Sequence, residues 1–164
     1  MLSELFEVAL VVDDLDRTMN EELAGLRPAT PYQSRVAVRT AAGVSDVELT
    51  ITYTMMGPLH LEIIERVPDT MYGTVGIHHY GWFSDDLVAD SASLAARGIL
   101  LAATRDSDTG GPWQFAYHDC PPFGTIELVD ARMRPFLRDW WTAGRPSAEL
   151  FRRSFGSLRE SRGA

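Results

Sequence analysis

The sequence predicts an α+β fold: two β-α-β-β-β modules forming a cupped, mixed β-sheet, followed by a helical C-terminal extension. Two internal echoes carry that prediction. At a shift of 72 residues, residues 7–15 lie over residues 79–87: Asp13-Asp14-Leu15 repeats as Asp85-Asp86-Leu87, Ala9 meets Gly81, and Glu7 falls on His79. At a shift of 65, Leu61-Glu62-Ile63-Ile64-Glu65 lies over Ile126-Glu127-Leu128-Val129-Asp130, and all five pairs keep their chemical type. Two matching blocks in the same order mean two copies of one supersecondary unit. With 164 residues, of which 45% are hydrophobic, there is material for one domain, or for two small modules sharing a core.

Each element has a local reason. Residues 6–12 are an apolar run closed by Asp13-Asp14, the pattern of a buried strand running into a helix cap. Leu15, Met19, Leu23 and Leu26 recur at helical spacing until Arg27-Pro28 stops the helix. Residues 33–40 and 46–54 alternate as strands, and Gly57-Pro58 turns the chain into a fourth strand over 59–65. Residues 66–75 lack periodicity and read as a linker. The second module, 76–131, opens with a strand over 77–83 and a helix over 86–97 ended by Gly98. Strands over 99–104, 113–118 and 125–129 follow, with a polar loop at 106–112. The extension, 132–164, carries Phe136, Leu137, Trp140, Trp141, Leu150, Phe151 and Phe155, and reads as two short helices whose aromatics cover the body.

Composition excludes several chemistries. All 15 basic residues are arginine, so Schiff-base and lysine-base catalysis have no residue to work with. Eight arginines against three acidic residues lie from Arg132 onward, leaving a charge of −13 on residues 1–131. Such an acidic body repels phosphate backbones and speaks against nucleic acid as a partner. The basic tail is expected to pack on that body or on a partner subunit; a solvated amphipathic helix is the alternative. No apolar run has the ~18 residues of a membrane span. One cysteine, Cys120, and a start without a basic secretory signal suit a cytoplasmic protein.

Strand parity then isolates a set of polar residues. Residues two apart share a face, so Val8, Leu10 and Val12 oppose Glu7, Leu61 and Ile63 oppose Glu62, and Ile126 and Leu128 oppose Glu127. His79 shares its face with Gly81 and Phe83, in register with Glu7. A mid-strand carboxylate among apolar neighbours is costly unless paired or metal-bound. Parity places His78 opposite His79, as a packed core histidine. His60 shares the face of Glu62 and is either pocket wall or solvated edge. His118-Asp119-Cys120 are consecutive and do not converge.

On the opening residues 8–16, the His78-His79 pair before Asp85-Asp86-Leu87, and Ile126-Glu127-Leu128-Val129, the chain resembles the vicinal oxygen chelate superfamily, which includes glyoxalase I, methylmalonyl-CoA epimerase, extradiol dioxygenases and bleomycin-resistance proteins. The pattern is closest to glyoxalase I and methylmalonyl-CoA epimerase-like members and covers roughly residues 5–130. The resemblance implies paired modules cupped around a divalent metal, with one ligand from the first and one from the last strand of each: Glu7, Glu62, His79 and Glu127. Glu7 departs from the family, which mostly places histidine or glutamine there. Extradiol dioxygenases need two histidines and one carboxylate on Fe(II), so oxygenase chemistry is disfavoured. An oxygen-rich site with one imidazole suits Mn, Mg, Ni, Co or Fe(II), and Zn less well.

The function expected on this basis is a metal-dependent isomerase, epimerase or lyase. Glu7 or Glu127 would move a proton beside a metal-polarised carbonyl of a small oxygenated substrate, with His60 and Phe83 contacting that substrate. The competing readings are a drug-sequestering binding protein without catalysis and a metal-free cyclase or isomerase of natural-product metabolism. The family often assembles as dimers, so a homodimer is expected.

Overall fold

The computed structural model describes residues 4–55, 57–105, 114–147 and 149–150. Eight strands, β1 (Leu5–Val12), β2 (Tyr32–Thr40), β3 (Gly43–Tyr53), β4 (His60–Glu65), β5 (Gly76–Ser84), β6 (Leu100–Arg105), β7 (Phe115–Cys120) and β8 (Gly124–Asp130), alternate with few helices. Among the described residues the α-helices are α1 (Leu15–Arg17), α2 (Leu87–Ala95) and, past β8, α3 (Arg134–Ala143). The expected loop over 106–112, the Trp113 strand start, Phe151 and Phe155 lie outside the described residues. Among the described residues no helix is long and apolar enough to cross a membrane.

The strands run β1-β4-β3-β2-β6-β7-β8-β5 around a closed ring. In each half the first and last strands are parallel neighbours, β1 with β4 and β5 with β8. The halves join twice, both times antiparallel: β1 with β5, and β2 with β6 through three register pairs at residues 38–40. The cup implied by the sequence is thus closed on its open side by β2 and β6.

The two module helices differ. Asp86 caps α2 by accepting from the Ala89 N–H at 3.0 Å, and Gly98 takes the left-handed φ of 84° that lets the chain leave it. The first helix is broken into α1, a π-helical turn at Thr18–Glu22 and a 3₁₀ turn at Ala24–Leu26. Weak helix formers explain this: the Asn20 side chain bonds back to the Asp16 carbonyl at 2.8 Å, Gly25 follows, and Pro28 bars continuation.

Two irregularities in the β1–β5 pairing shift side chains between faces. Leu5 pairs with Trp82 but Glu7 with Gly81, so Phe6 is the extra residue of β1 and is buried together with Glu7. Ala9 pairs with His79 but Leu10 with Ile77, which leaves His78 as the extra residue of β5.

Apolar side chains fill the ring on either side of the polar set. Ala9, Val11, Val36, Val38, Val47, Leu49 and Ile64 form one cluster, and Tyr72, from the segment between β4 and β5, is inserted among them. Phe6, Tyr53, Phe83 and Val129 form the second, and α3 packs on it with Phe136, Leu137 and Trp140. The Trp140 indole also donates to the Thr30 carbonyl at 3.1 Å. The front half of the aromatic extension therefore docks on this chain's own body.

Candidate metal centre

Strand pairing sets the site. Glu7 lies beside Gly81 on β5 and His60 on β4; Gly81 lies beside Glu127 on β8; Ala9 lies beside both His79 and Glu62. Four side chains from the four central strands consequently meet inside the ring. The His79 Nε2 is 3.0 Å from a Glu127 oxygen, 3.3 Å from Glu62 and 3.8 Å from Glu7. Donor atoms of Glu7, His79 and Glu127 lie within 4.8 Å of one another. Gly81 makes room: a Cβ there would overlap the Glu7 carboxylate.

Proximity here is not alignment. None of the three carboxylates lies along the ring N–H direction, so His79 Nε2 is buried without a hydrogen-bond partner, and so is Glu7 Oε2. Nε2 points into the space between the oxygens. Three buried carboxylates around one buried imidazole leave an excess of negative charge that protons or a cation must offset. The donor set and the two orphaned atoms suit a divalent ion coordinated by oxygen with one nitrogen.

Without an ion the same crowding moves protons. Burial, then the charge of Glu62, pushes the Glu7 carboxyl well above its ordinary range. Burial alone would lower His79, but the charge and oxygens of Glu127, with those of Glu62 and Glu7, hold the imidazole well above its ordinary value. Burial opposes the charge on Glu127 as well, yet His79, Glu7 and Tyr117 outweigh it and lower that carboxyl. Glu62 accepts from the Tyr53 hydroxyl at 2.9 Å. Tyr53 and Tyr117 are themselves kept protonated, first by burial and then by the carboxylates.

His78 is the residue parity placed wrongly. Its bulge brings the two rings together: His78 Nδ1 lies 2.8 Å from His79 Nδ1, and His78 Nε2 lies 3.0 Å from the Met71 carbonyl. A carbonyl only accepts, so His78 carries its proton on Nε2 and accepts from the Nδ1–H of His79. That bond leaves the Nε2 lone pair of a neutral His79 facing the carboxylates. Burial and the charge of His79 lower His78 to about 4, so it stays neutral. It is also clamped against Tyr72, ring centroids 4.9 Å apart.

Glu7, Glu62 and Glu127 line a cavity of about 350 Å³, together with Tyr32, Phe115, Phe136 and Trp140. His60 and Phe83 are outside that lining. The His60 ring stacks on Trp141 at 4.0 Å and its Nδ1 meets the Thr54 carbonyl at 2.8 Å. Phe83 stacks on Phe6 at 3.9 Å, with Arg134 over its ring at 4.3 Å. His118, on the outer surface of the ring, binds Ser91 of α2 at 3.0 Å.

Residues 6–117 match the model of the family described as Glyoxalase/Bleomycin resistance protein/Dioxygenase superfamily. Among solved structures, the methylmalonyl-CoA epimerase from Mycobacterium tuberculosis aligns with a TM-score of 0.53 at 15% identity, covering 79% of this chain and 88% of that one. A variant of the Streptomyces coelicolor methylmalonyl-CoA epimerase, in complex with 2-nitronate-propionyl-CoA, aligns at 0.51 and 18% identity, covering 79% and 95%. A hypothetical protein from Bacillus halodurans C-125 aligns at 0.51 and 12% identity, covering 77% and 93%. These likenesses are of fold. No curated protein sequence matches the chain.

Proposed function

The chain belongs to the glyoxalase/bleomycin resistance/dioxygenase superfamily, and on that premise we propose that it is a divalent-metal-dependent isomerase, epimerase or lyase. It moves a proton on the carbon beside a carbonyl of a small oxygenated substrate. The observation that carries this reading is the pair of buried orphans, His79 Nε2 and Glu7 Oε2, at the meeting point of three carboxylates.

Glu7, His79 and Glu127 would hold the ion, with Glu62 beside them. A bound divalent cation supplies Lewis acidity to a substrate carbonyl oxygen. Glu127 stays anionic and anchors the site. Glu7 is assigned the proton transfer: it lines the cavity, and its Oε2 has no other partner. As base, Glu7 takes the proton from the carbon, the C–H pair passing into the enolate and the proton to Oε2. It then returns that proton to the neighbouring carbon on the same face. His78 fixes the tautomer and ring angle of His79, and the buried tyrosines exclude water. The homodimer implied by the resemblance and the cytoplasmic location suited by the lone cysteine belong to this proposal too, with light scattering and cell fractionation as their tests.

The experiment is metal analysis of protein purified without chelator, followed by deuterium wash-in at α-carbons of candidate carbonyl compounds in D₂O. Stoichiometric divalent metal and exchange that Glu7→Gln slows by ~10²–10⁴-fold are expected. Metal at background with no exchange in any candidate would remove the reading.

A further inference from the structure

This inference rests on the proton transfer proposed above and concerns the other end of the substrate. The cavity walls differ in charge: Glu7, Glu62 and Glu127 form one side, whereas Arg105 and Gln114 stand on another. In the ring, β6 lies four strands from β1, so Arg105 approaches from the far side.

Gln114 is an unusual residue. It is 3% exposed and adopts a left-handed φ of 69°, a region that favours glycine. Its carbonyl is pinned by the Asp130 N–H at 2.8 Å. Its Oε1 accepts from the Arg105 guanidinium. A guanidinium has only donors, so the amide oxygen must face it and Nε2 must point away. That Nε2 is buried with no hydrogen-bond partner among the described residues. Strained backbone and an unsatisfied donor beside a fixed cation, at one point of a cavity wall, call for an acceptor from outside.

We propose that Arg105 and Gln114 receive a carboxylate of the substrate, which is a compact carboxylic acid carrying its reacting carbonyl at the opposite end. Both groups donate, and a carboxylate offers two oxygens in one plane to a guanidinium and an amide N–H. The three-glutamate wall repels that carboxylate, which gives the molecule one orientation. Between the ends, Tyr32, Phe115, Phe136 and Trp140 provide apolar walls. A volume of about 350 Å³ is at the small end of the ~300–1,000 Å³ range of small-molecule pockets, and α3 occupies one side. The space suits an acid of one ring or a short chain better than a coenzyme thioester.

The test uses metal-loaded protein with 4-oxo-4-phenylbutyrate, its methyl ester and its amide. Binding is followed by calorimetry, and exchange at the methylene beside the ketone by NMR in D₂O. The acid should bind about 10- to 100-fold more tightly than the ester or amide, the range for charge-assisted hydrogen bonds. Arg105→Met and Gln114→Leu should each abolish most of that preference, and Arg105→Lys should restore part of it. Glu7→Gln should keep the preference while losing exchange. Repeating the titration after chelation separates the two ideas: an acid preference that survives metal removal supports the Arg105–Gln114 receptor even if no proton transfer is found. Equal binding of acid and ester, a preference unchanged in Arg105→Met and Gln114→Leu, or no binding of the acid would overturn the receptor.

Discussion

At the scale of single residues, the site depends on small neighbours as much as on its four polar members. Gly81 is a ligand-free position, yet Gly81→Ala would drive a methyl group into Glu7. Metal affinity measured by competition with a chromophoric chelator should fall at least as far as in Glu7→Gln. His78→Phe keeps the stacking on Tyr72 but removes the acceptor for His79 Nδ1–H. We expect a loss of about 10- to 100-fold in metal affinity with a small change in Tm; an unchanged affinity would show that His79 needs no such partner. Glu7, Glu62, His79 and Glu127 were legible in the sequence because the repeat marks them twice. His78 was not, since counting in twos along a strand is blind to a bulge that depends on the partner strand. Gln114 gave no signal at all: its meaning lies in a backbone angle and an unfilled hydrogen bond.

The elements were read from alternation and turn chemistry, and all eight strands fall where those patterns put them, to within a few residues. What alternation does not report is how a ladder slips, so parity puts His78 on the wrong face. The first helix was overread from four leucine and methionine positions; spacing alone does not register that threonine, asparagine and glycine within it favour other hydrogen bonds. The extension illustrates the reverse. Its aromatics signalled docking, but only the structure says that α3 closes a cavity wall. Trp140 is 1% exposed, so Trp140→Ala should cost about 3–5 kcal/mol. Chemical denaturation would measure that loss, and less than ~1 kcal/mol would mean that α3 is not anchored there. Truncation after Ala131 should lower Tm and also weaken binding of small acids, because the same helix serves both.

For the molecule as a whole, the buried charge ties stability to pH and, on the proposed function, to a bound divalent ion. In the metal-free fold Glu7 is raised above its ordinary 4.5 and His79 above 6.5. Stability from both is therefore full below those unfolded values and is lost as pH climbs. Glu127, lowered, works the other way, but its contribution is lost only under more acidic conditions. The metal-free Tm should accordingly decline between about pH 5 and about pH 8. The rise in Tm on adding a divalent ion should grow over that interval, with protons released on binding. A metal effect that shrinks with pH would contradict this charge balance. The ring's two inter-module junctions are also unequal: β1–β5 spans the site, whereas β2–β6 holds by three pairs, one of which includes Arg105. By that inequality β1–β5 is the broad junction and β2–β6 a narrow clasp. Those backbone amides at 38–40 and 103–105 that bond across the β2–β6 junction should exchange with solvent sooner than those bonding β1 to β5, because short ladders open locally. An acid seated on Arg105 would fasten the clasp from within, so its residence time and the exchange rate of those amides should lengthen and slow together.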